Sequence, residues 1–412
     1  MNPQPLAYKV RASHCDHLAS AGEIYETLKR TIAPLERSWA RLKSARRIAL
    51  KFNQDWHGVP AQLDGLTRDL VGEPVARALL RLLRENTSAE LYAVDTSTYR
   101  HYGETHPDQS PPMKPLFDEF GVAYVDVDQA PIVPINVPGG GLMFQKYFLA
   151  QSLLEADEVI SIQRMKNHGF LGITLCLKNL FGLVPMEPDG RPRQYYHHLV
   201  RMPYMIADLG RILDPALNII DGLIGMAGKE WESTDAQISN TLIAGDHIVA
   251  TDACGSHLMG HDPAADWLTP PYHRDRNTLR VAAEAGFGTV NLAEIDYQSE
   301  VQAPLGNYYS HITDPQSRVV SWRKTTAEQG LIYRDRQKEF VERYAGQYIL
   351  LQQGEVRWHD PSGRPGWSRR VLSGDNPEEA MFLKYVDPDE FEGENYQIYE
   401  NTLSELRAMG LA

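Results

Sequence analysis

The sequence predicts an α/β protein, with a mainly parallel sheet flanked by helices and a small α+β appendage towards its carboxyl end. Two observations predict this fold class. Short β-type runs alternate with helical runs over most of the chain, and the links between them are short. The pattern then changes, because a charged helical stretch is followed by two β-type runs around a Gln-Gln-Gly turn that ends at Gly354.

The order of these elements predicts three parts. We expect an N-terminal helical segment at 1–44, an α/β core domain at 45–300 and a C-terminal α+β appendage with a β-hairpin at 301–412. A chain of 412 residues is long enough for two or three domains at about 150 residues each.

Hydrophobic spacing predicts the individual elements in order. Helices are expected at 21–44, with a kink or break at Pro34, and at 75–85, 113–120, 144–156, 171–181, 200–213, 248–259, 277–285 and 327–343. Strands are expected at 47–53, 90–94, 122–127, 158–162, 217–220 and 241–244, with a hairpin at 346–359. Because strands and helices alternate, the core strands should run parallel.

Composition limits the classes of partner. The chain carries a net charge of −13 and no dominant basic patch, so we expect it to bind neither nucleic acid nor an anionic membrane. It contains no run of about 18 uncharged apolar residues of the kind that spans a bilayer. The amino terminus shows no signal-peptide pattern, which favours a cytoplasmic protein.

The cysteines exclude two further kinds of site. Cys15, Cys176 and Cys254 stand alone in the sequence, without Cys-x-x-Cys spacing. They therefore predict no disulfide framework and no built-in iron–sulfur cluster.

One central segment concentrates polar side chains directly after a buried strand. Parallel α/β sheets bind ligands outside the carboxyl ends of their strands, and the turn at 169–172 would offer free N–H groups to an anion. Lysines at both ends of the segment would add positive charge. The segment therefore predicts a site for a small carboxylate or phosphate, and its polar residues are Lys166, Asn167, His168, Thr174, Lys178 and Asn179.

These motifs resemble a known family, the domain of unknown function 362. The resemblance covers roughly residues 45–297. It is carried by Lys166-Asn-His168, Thr174-x-x-x-Lys178-Asn179-x-x-Gly182, Ile220-Asp221-Gly222, Ala250-Thr-Asp252-Ala253 before Met259-Gly260, and Lys51-Phe-Asn53, where the family usually has Lys-Pro-Asn. The resemblance implies an α/β fold and a site but no established reaction. Many members carry ferredoxin-like cysteines, which this chain lacks.

A more distant resemblance is to the N-terminal domain of lactate racemase. There a His and a Lys ten positions apart lie in the cofactor site, and the Lys holds a nickel-pincer nucleotide covalently. His168 and Lys178 have the same spacing. The resemblance thus implies a nickel-pincer cofactor as a hypothesis.

We predict four catalytic residues: His168, Lys178, Asp221 and Asp252. His168 would move a proton, and one of the two aspartates would orient it. Each also has a plain structural interpretation: a loop histidine bonded to backbone, a helix-end lysine capped by glycine, and aspartates that accept turn or helix N–H groups.

Further residues are predicted to bind ligand or metal. Neighbouring parallel strands bring their loops to one edge of the sheet, so side chains distant in sequence can share a cleft. Substrate or cofactor contacts are predicted for Lys51, Asn53, Lys166, Thr174, Asn179 and His197, and metal ligation for His168, His57 and Asp55. His257 and His261 have zinc-chelating spacing, but solvated helix-end residues are the stronger interpretation.

Together these features predict an enzyme that binds a small anionic substrate or cofactor in a strand-end cleft. A His/Lys/Asp set suits proton transfer of the isomerase, racemase or lyase type. The cofactor is unknown; a divalent metal and a homo-oligomer are compatible with the sequence. The alternative is a non-catalytic protein that binds a cofactor or metal, or a redox accessory protein.

Overall fold

The computed structural model describes residues 7–54, 62–96, 113–186, 191–228, 235–312, 314–363 and 382–411. The predicted fold class is confirmed: a large, mostly parallel sheet is flanked by helices, and a small antiparallel sheet lies towards the carboxyl end.

The strands follow the predicted alternation closely in the core. In chain order they are β1 (Tyr8–His14), β2 (Arg47–Phe52), β3 (Gln62–Leu63), β4 (Leu66–Thr67), β5 (Glu90–Asp95), β6 (Ala123–Asp126), β7 (Ile132–Asn136), β8 (Lys146–Ala150), β9 (Glu158–His168), β10 (Gly172–Thr174), β11 (Leu217–Met226), β12 (Ala236–Gly245), β13 (Ile295–Ser299), β14 (Tyr348–Gln352), β15 (Glu355–Asp360) and β16 (Phe382–Tyr385).

The helices pack on the faces of the large sheet or in the C-terminal region. They are α1 (Ala21–Ile32), α2 (Glu36–Ser44), α3 (Glu73–Asn86), α4 (Lys114–Glu119), α5 (Gln151–Leu154), α6 (Cys176–Asn179), α7 (Arg193–Tyr196), α8 (Arg201–Leu213), α9 (Ile248–Leu258), α10 (Thr278–Glu284), α11 (Gln316–Asp335), α12 (Gln337–Tyr344) and α13 (Gln397–Ala408). Short 3₁₀ turns cover Val127–Gln129, Leu180–Leu183 and Leu292–Glu294.

The large sheet has the strand order β13-β1-β12-β11-β9-β2-β5-β6, and β10 pairs with β9. The run β11-β9-β2-β5-β6 is parallel throughout, as predicted. The strand β12 is antiparallel to both of its neighbours. The carboxyl ends of the parallel strands therefore lie along one edge, where the candidate residues begin.

Alternating side chains divide the core into two apolar layers. Along β2, Ile48, Leu50 and Phe52 pack on the layer that contains α1 and α3, whereas Ala49 packs on the layer that contains α8 and α9. A strand directs successive side chains to opposite faces. The layer in which a residue packs therefore identifies its face of the sheet.

The segment at 171–181 is not the long helix that its spacing predicts. It forms β10, the single turn of α6 and the 3₁₀ turn at Leu180–Leu183. Gly172 has a φ of 81°, which an α-helix does not tolerate, and β-branched Ile173 and Thr174 then pair with β9.

The predicted helix at 144–156 is also wrong. Residues Lys146–Ala150 form β8 and pair with β7, and only Gln151–Leu154 is helical. Tyr147 and Leu149 are buried and Phe148 between them is less so, which is the period of a strand.

Both ends of the chain differ from prediction. The N-terminal segment contains a strand as well as helices, since β1 lies in the large sheet between β12 and β13. The C-terminal helix starts earlier than expected, at Gln316, and is interrupted at Arg336. The predicted hairpin is present as β14 and β15.

Within the part of the chain that the structure describes, no helix combines the length and the apolar composition needed to cross a membrane.

The close contact between β11 and the segment after β13 gives a test of the packing. A Cβ atom at Gly225 would lie 1.8 Å from Oη of Tyr308 and 2.8 Å from the carbonyl oxygen of Met165. We expect Gly225→Ala to lower the free energy of unfolding by about 1–3 kcal/mol, measured by urea denaturation. Gly22→Ala is the control, because a Cβ there meets no atom nearer than 3.9 Å. Equal stabilities of the two variants would contradict the packing.

Candidate functional site

The strand β9 extends beyond the edge of its neighbour. Its residue Ile162 pairs with Phe52, the last residue of β2, but β9 continues to His168. The strand β10 returns antiparallel to it and places Thr174 opposite Lys166. Residues opposite each other, or two apart on one strand, share a face. Lys166, His168 and Thr174 therefore lie on one face of this hairpin, all buried.

The imidazole of His168 is held by its own turn. Its Nδ1 atom accepts hydrogen bonds from the backbone N–H groups of Phe170 and Leu171, both at 3.0 Å. Because a backbone N–H can only donate, Nδ1 must be unprotonated in this arrangement, and the ring proton is on Nε2. His168 is thus a neutral imidazole whose donor is Nε2–H.

Three further contacts hold the hairpin. The Ser310 hydroxyl donates to the carbonyl oxygen of His168 at 2.8 Å. On the opposite face, the Asn167 amide donates to the carbonyl oxygen of Gly172 at 3.0 Å and lies 3.0 Å from Nε2 of His261. Burial lowers the pKa of His261 to about 4, so this ring is also neutral and accepts from Asn167. Ser310 and His261, which both lie outside the hairpin, therefore help to hold it.

A second group of predicted residues lies at the ends of β2 and β5. The Lys51 ammonium is 2.7 Å from Oδ2 of Asp95 and donates to the carbonyl oxygen of Phe52. Asn179 donates to the carbonyl oxygens of Lys51 and Ile162 at 2.9 and 3.0 Å. Asn179 thus joins the end of β2 to the middle of β9, and the charge of Lys51 is matched by a carboxylate.

Asp221 is held in an ion pair that has no exposure to solvent. Its Oδ1 accepts from Nη1 of Arg164 at 2.8 Å, and its Oδ2 accepts from the N–H of Gly72, just before α3, also at 2.8 Å. Burial raises the pKa of Asp221, and Arg164 opposes this effect. Its position in β11 places it on the face of the sheet that carries α3.

Asp252 lies on the other face, in α9. Its two oxygens accept the N–H groups of Cys176 and Leu177 at 2.9 and 2.7 Å, at the start of α6. Burial raises its pKa to about 7, against these hydrogen bonds. With half-buried Lys178 it lines a cavity of about 10 Å³, room for one water molecule.

We predicted that one of the two aspartates orients His168. The hydrogen bonds of Asp221 and Asp252 do not do so. Within the described residues, Asp221 bonds to Arg164, Gly72 and Leu223, and Asp252 bonds around α6. Both aspartates make bonds of the kind that their structural interpretation predicts, and their catalytic roles stay predictions.

His197 is exposed, but it lies beside the hairpin. Its ring centroid is 4.9 Å from that of Phe170 and 6.0 Å from that of Phe181. The predicted metal ligands Asp55 and His57 fall outside the described residues. Among those that are described, no three His, Cys, Asp or Glu side chains converge as a metal site would require. Metal binding thus stays a prediction.

Among the described residues, several buried polar atoms at the strand ends have no hydrogen-bond partner. They are Oδ1 of Asn53, Oγ1 of Thr174 and both amide atoms of Gln54. Buried polar atoms are almost always paired, so such atoms indicate water or a ligand nearby. Asn53 and Thr174 were predicted as binding residues, whereas Gln54 was missed.

Asp95 and Arg164 were not predicted from the sequence. A signal was present, since Asp95 ends a strand that neighbours Lys51 and Arg164 lies two residues before Lys166. Their partners could not be read from spacing, because Arg164 and Asp221 are 57 positions apart in the chain.

Comparison with known proteins gives two matches. Residues 48–257 match the model of the family described as Domain of unknown function (DUF362). A thylakoid-associated protein of Synechocystis sp. is 28% identical over 152 residues, which is 34% of this chain and 46% of that protein. The match thus spans about half the length of this relative.

The Lys51–Asp95 pair predicts a large stability effect. Removing one partner of a buried ion pair leaves an uncompensated charge, so Lys51→Met should lower the free energy of unfolding by about 3–5 kcal/mol in urea denaturation. Lys114→Met is the control, since Lys114 pairs with Asp118 at the surface and should change stability by less than about 1 kcal/mol. A Lys51→Met variant as stable as this control would refute the role of the pair.

Asp252 predicts a pH dependence. Its pKa is raised from 3.8 to about 7, so the folded state binds more protons than the unfolded state between these values. Its contribution to stability is therefore greatest below pH 4 and is lost as the pH rises towards 7. Relative to Asp252→Asn, the wild type should lose stability between pH 5 and pH 7.5, measured by denaturation at both values. A constant difference between the two proteins would contradict the raised pKa.

Proposed function

The chain belongs to the DUF362 family, and on this premise we propose that it is an enzyme that binds a small anionic substrate or cofactor at the end of β9. The anion would be a carboxylate or a phosphate. Proton transfer beside it would be of the isomerase, racemase or lyase type, with His168 as the central group.

The observation that carries this proposal is the fixed tautomer of His168. With Nδ1 bonded to Phe170 and Leu171, the ring proton of His168 is on Nε2, and the His168 and Lys166 side chains leave the hairpin on the same face. A neutral N–H donor beside a cation is an arrangement suited to an anionic oxygen. The unpaired hydroxyl oxygen of Thr174, opposite Lys166, supports the same assignment.

The tautomer also changes the role proposed for His168. A ring that already carries a proton on Nε2 does not accept another there while Nδ1 is occupied by two N–H groups. His168 therefore acts as a hydrogen-bond donor that stabilises negative charge as it develops on the substrate. The group that removes the substrate proton is a separate one.

The distant resemblance to lactate racemase would make Lys178 the attachment point of a nickel-pincer nucleotide. The cavity that Lys178 lines with Asp252 has a volume of about 10 Å³, far below the size of a nucleotide. The surroundings of Lys178 do not fit this group, and the proposal does not depend on it. The predicted cytoplasmic location likewise stays a proposal.

The test separates the two nitrogens of His168. In His168→Asn, the side-chain oxygen can accept the N–H groups of Phe170 and Leu171 as Nδ1 does, but no donor reaches the position of Nε2. We expect this variant to fold normally and to bind inorganic phosphate and oxalate about ten- to a hundredfold more weakly in calorimetric titration, as loss of one charge-assisted hydrogen bond implies.

The matched control is His14→Asn, because His14 is exposed on β1. It should bind both probes as the wild type does. Unchanged affinity in His168→Asn, or no binding of either anion by the wild type, would overturn the proposed site. Binding without turnover of any carboxylate substrate would favour the alternative, a non-catalytic binding protein.

A further inference from the structure

A network of buried charges connects the C-terminal region 382–411 to the core. Arg201, at the start of α8, donates from Nη1 to the carbonyl oxygen of Tyr195 at 2.7 Å and from Nη2 to Oε1 of Glu394 at 2.9 Å. The Lys384 ammonium is 2.8 Å from Oε2 of the same carboxylate. The charged ends of all three side chains are out of contact with solvent, so each depends on the others for compensation.

Glu392 makes a second connection. It pairs with Nε of Arg191 at 2.9 Å, and it accepts from the hydroxyl groups of Tyr195 and Tyr196 at 3.4 and 3.5 Å. The start of the segment 191–200 and the helix α7 within it are thus bonded to residues of the C-terminal region.

The far end of this segment is fixed in the same way. The N–H of Val200 donates to Oδ2 of Asp275 at 2.7 Å. Asp275 is in turn paired with Arg323, which lies in α11 and is buried. Residues beyond 300 therefore hold the segment 191–200 directly at one end and through Asp275 at the other.

The same segment contacts both parts of the candidate site. Arg193 donates to the carbonyl oxygen of Gly182 at 3.3 Å and to the hydroxyl group of Thr96, beside the Lys51–Asp95 pair. His197 packs its ring against Phe170, in the turn that holds His168. A shift of this segment would therefore change its contact with the hairpin.

The connection between the C-terminal region and the core depends on the positive charge of Lys384. Burial alone would raise the pKa of Glu394, but Lys384 and Arg201 together lower it to about 2. Without Lys384, one buried carboxylate would be left with a single cation, and Glu390, which also lies near Lys384, would lose a partner. The hydrogen bond from Arg201 to Tyr195 would lose the support of this network of ion pairs.

We propose that the segment 191–200 borders the anion site, and that Lys384, in the C-terminal region, is a positioning residue that holds this segment against the hairpin. This inference rests on the proposed function only for the kind of ligand that the site binds. It places a positioning residue beyond the residues that match the family.

The experiment measures hydrogen–deuterium exchange of the full chain without ligand. In Lys384→Met, we expect the amides of 193–200 to exchange about tenfold faster than in the wild type, while those of β9 and β11 are unchanged. Tyr399→Phe removes the hydroxyl group that donates to Oε1 of Glu394 at 2.6 Å and should give a smaller effect in the same amides. Lys338→Met, at an exposed position of α12, is the control and should change nothing.

A positioning role also predicts an effect on binding. Lys384→Met should bind inorganic phosphate several-fold more weakly, and Lys384→Arg, which keeps the positive charge, should recover most of the affinity. Wild-type exchange at 193–200 in a folded Lys384→Met would overturn the inference. Equal acceleration throughout the chain would overturn it too, because that result indicates a general loss of stability. If Lys384→Met does not fold, wild-type exchange in Tyr399→Phe would have the same consequence.

The two proposals can fail separately. Loss of phosphate binding in His168→Asn together with unchanged exchange in Lys384→Met would retain the proposed function and reject the positioning role of Lys384. Faster exchange confined to 193–200, in a chain that binds neither probe, would retain the positioning of the segment and reject the anion site.

Discussion

Two backbone N–H groups that share one imidazole nitrogen determine the chemistry available at the end of β9. They bind Nδ1 of His168, and the hairpin that presents them is itself held by Ser310 on one side and by Asn167 and Gly172 on the other. A change in any of these contacts would free the ring to rotate or to change tautomer. The orientation of one donor therefore depends on the geometry of a short, tightly held turn.

The buried charges around this turn support the scaffold. Asp221 anchors Arg164 and the start of α3 on one face of the sheet, while Asp252 bonds to the start of α6 on the other. Lys51 and Asp95 neutralise each other at the ends of β2 and β5. Charges paired inside a protein are costly to separate, so these groups fix the strand ends more readily than they exchange protons with a substrate. Lys166 and His168 thus remain the groups best placed to meet an anion.

Much of the fold follows from local pattern. The parallel order of β2, β5 and β9 and the helices α3, α8 and α9 were predictable, because period and length agree in those segments. The segment after Leu171 was not, since its apolar spacing fits a helix while the positive φ of Gly172 and the pairing with β9 favour a strand. Nor was the place of β1 in the sheet, which depends on β12 and β13, far away in sequence.

The candidate site shows the same limit. The spacing of the motifs identified Lys166, His168 and Asn179 as candidate site residues. It could not identify the hydrogen-bond partners of the two aspartates. The connection to the C-terminal region could be predicted even less, because Lys384 and Arg201, which share the carboxylate of Glu394, are 183 positions apart in the chain. Ion pairs of this kind become visible only in three dimensions.

The most direct measurement is the ¹⁵N NMR signature of the His168 ring, assigned by its absence from His168→Asn. We expect a protonated Nε2 and an unprotonated Nδ1 at neutral pH, with the Nε2 signal moving when inorganic phosphate is added. A proton on Nδ1, with Nε2 bare and indifferent to phosphate, would contradict it.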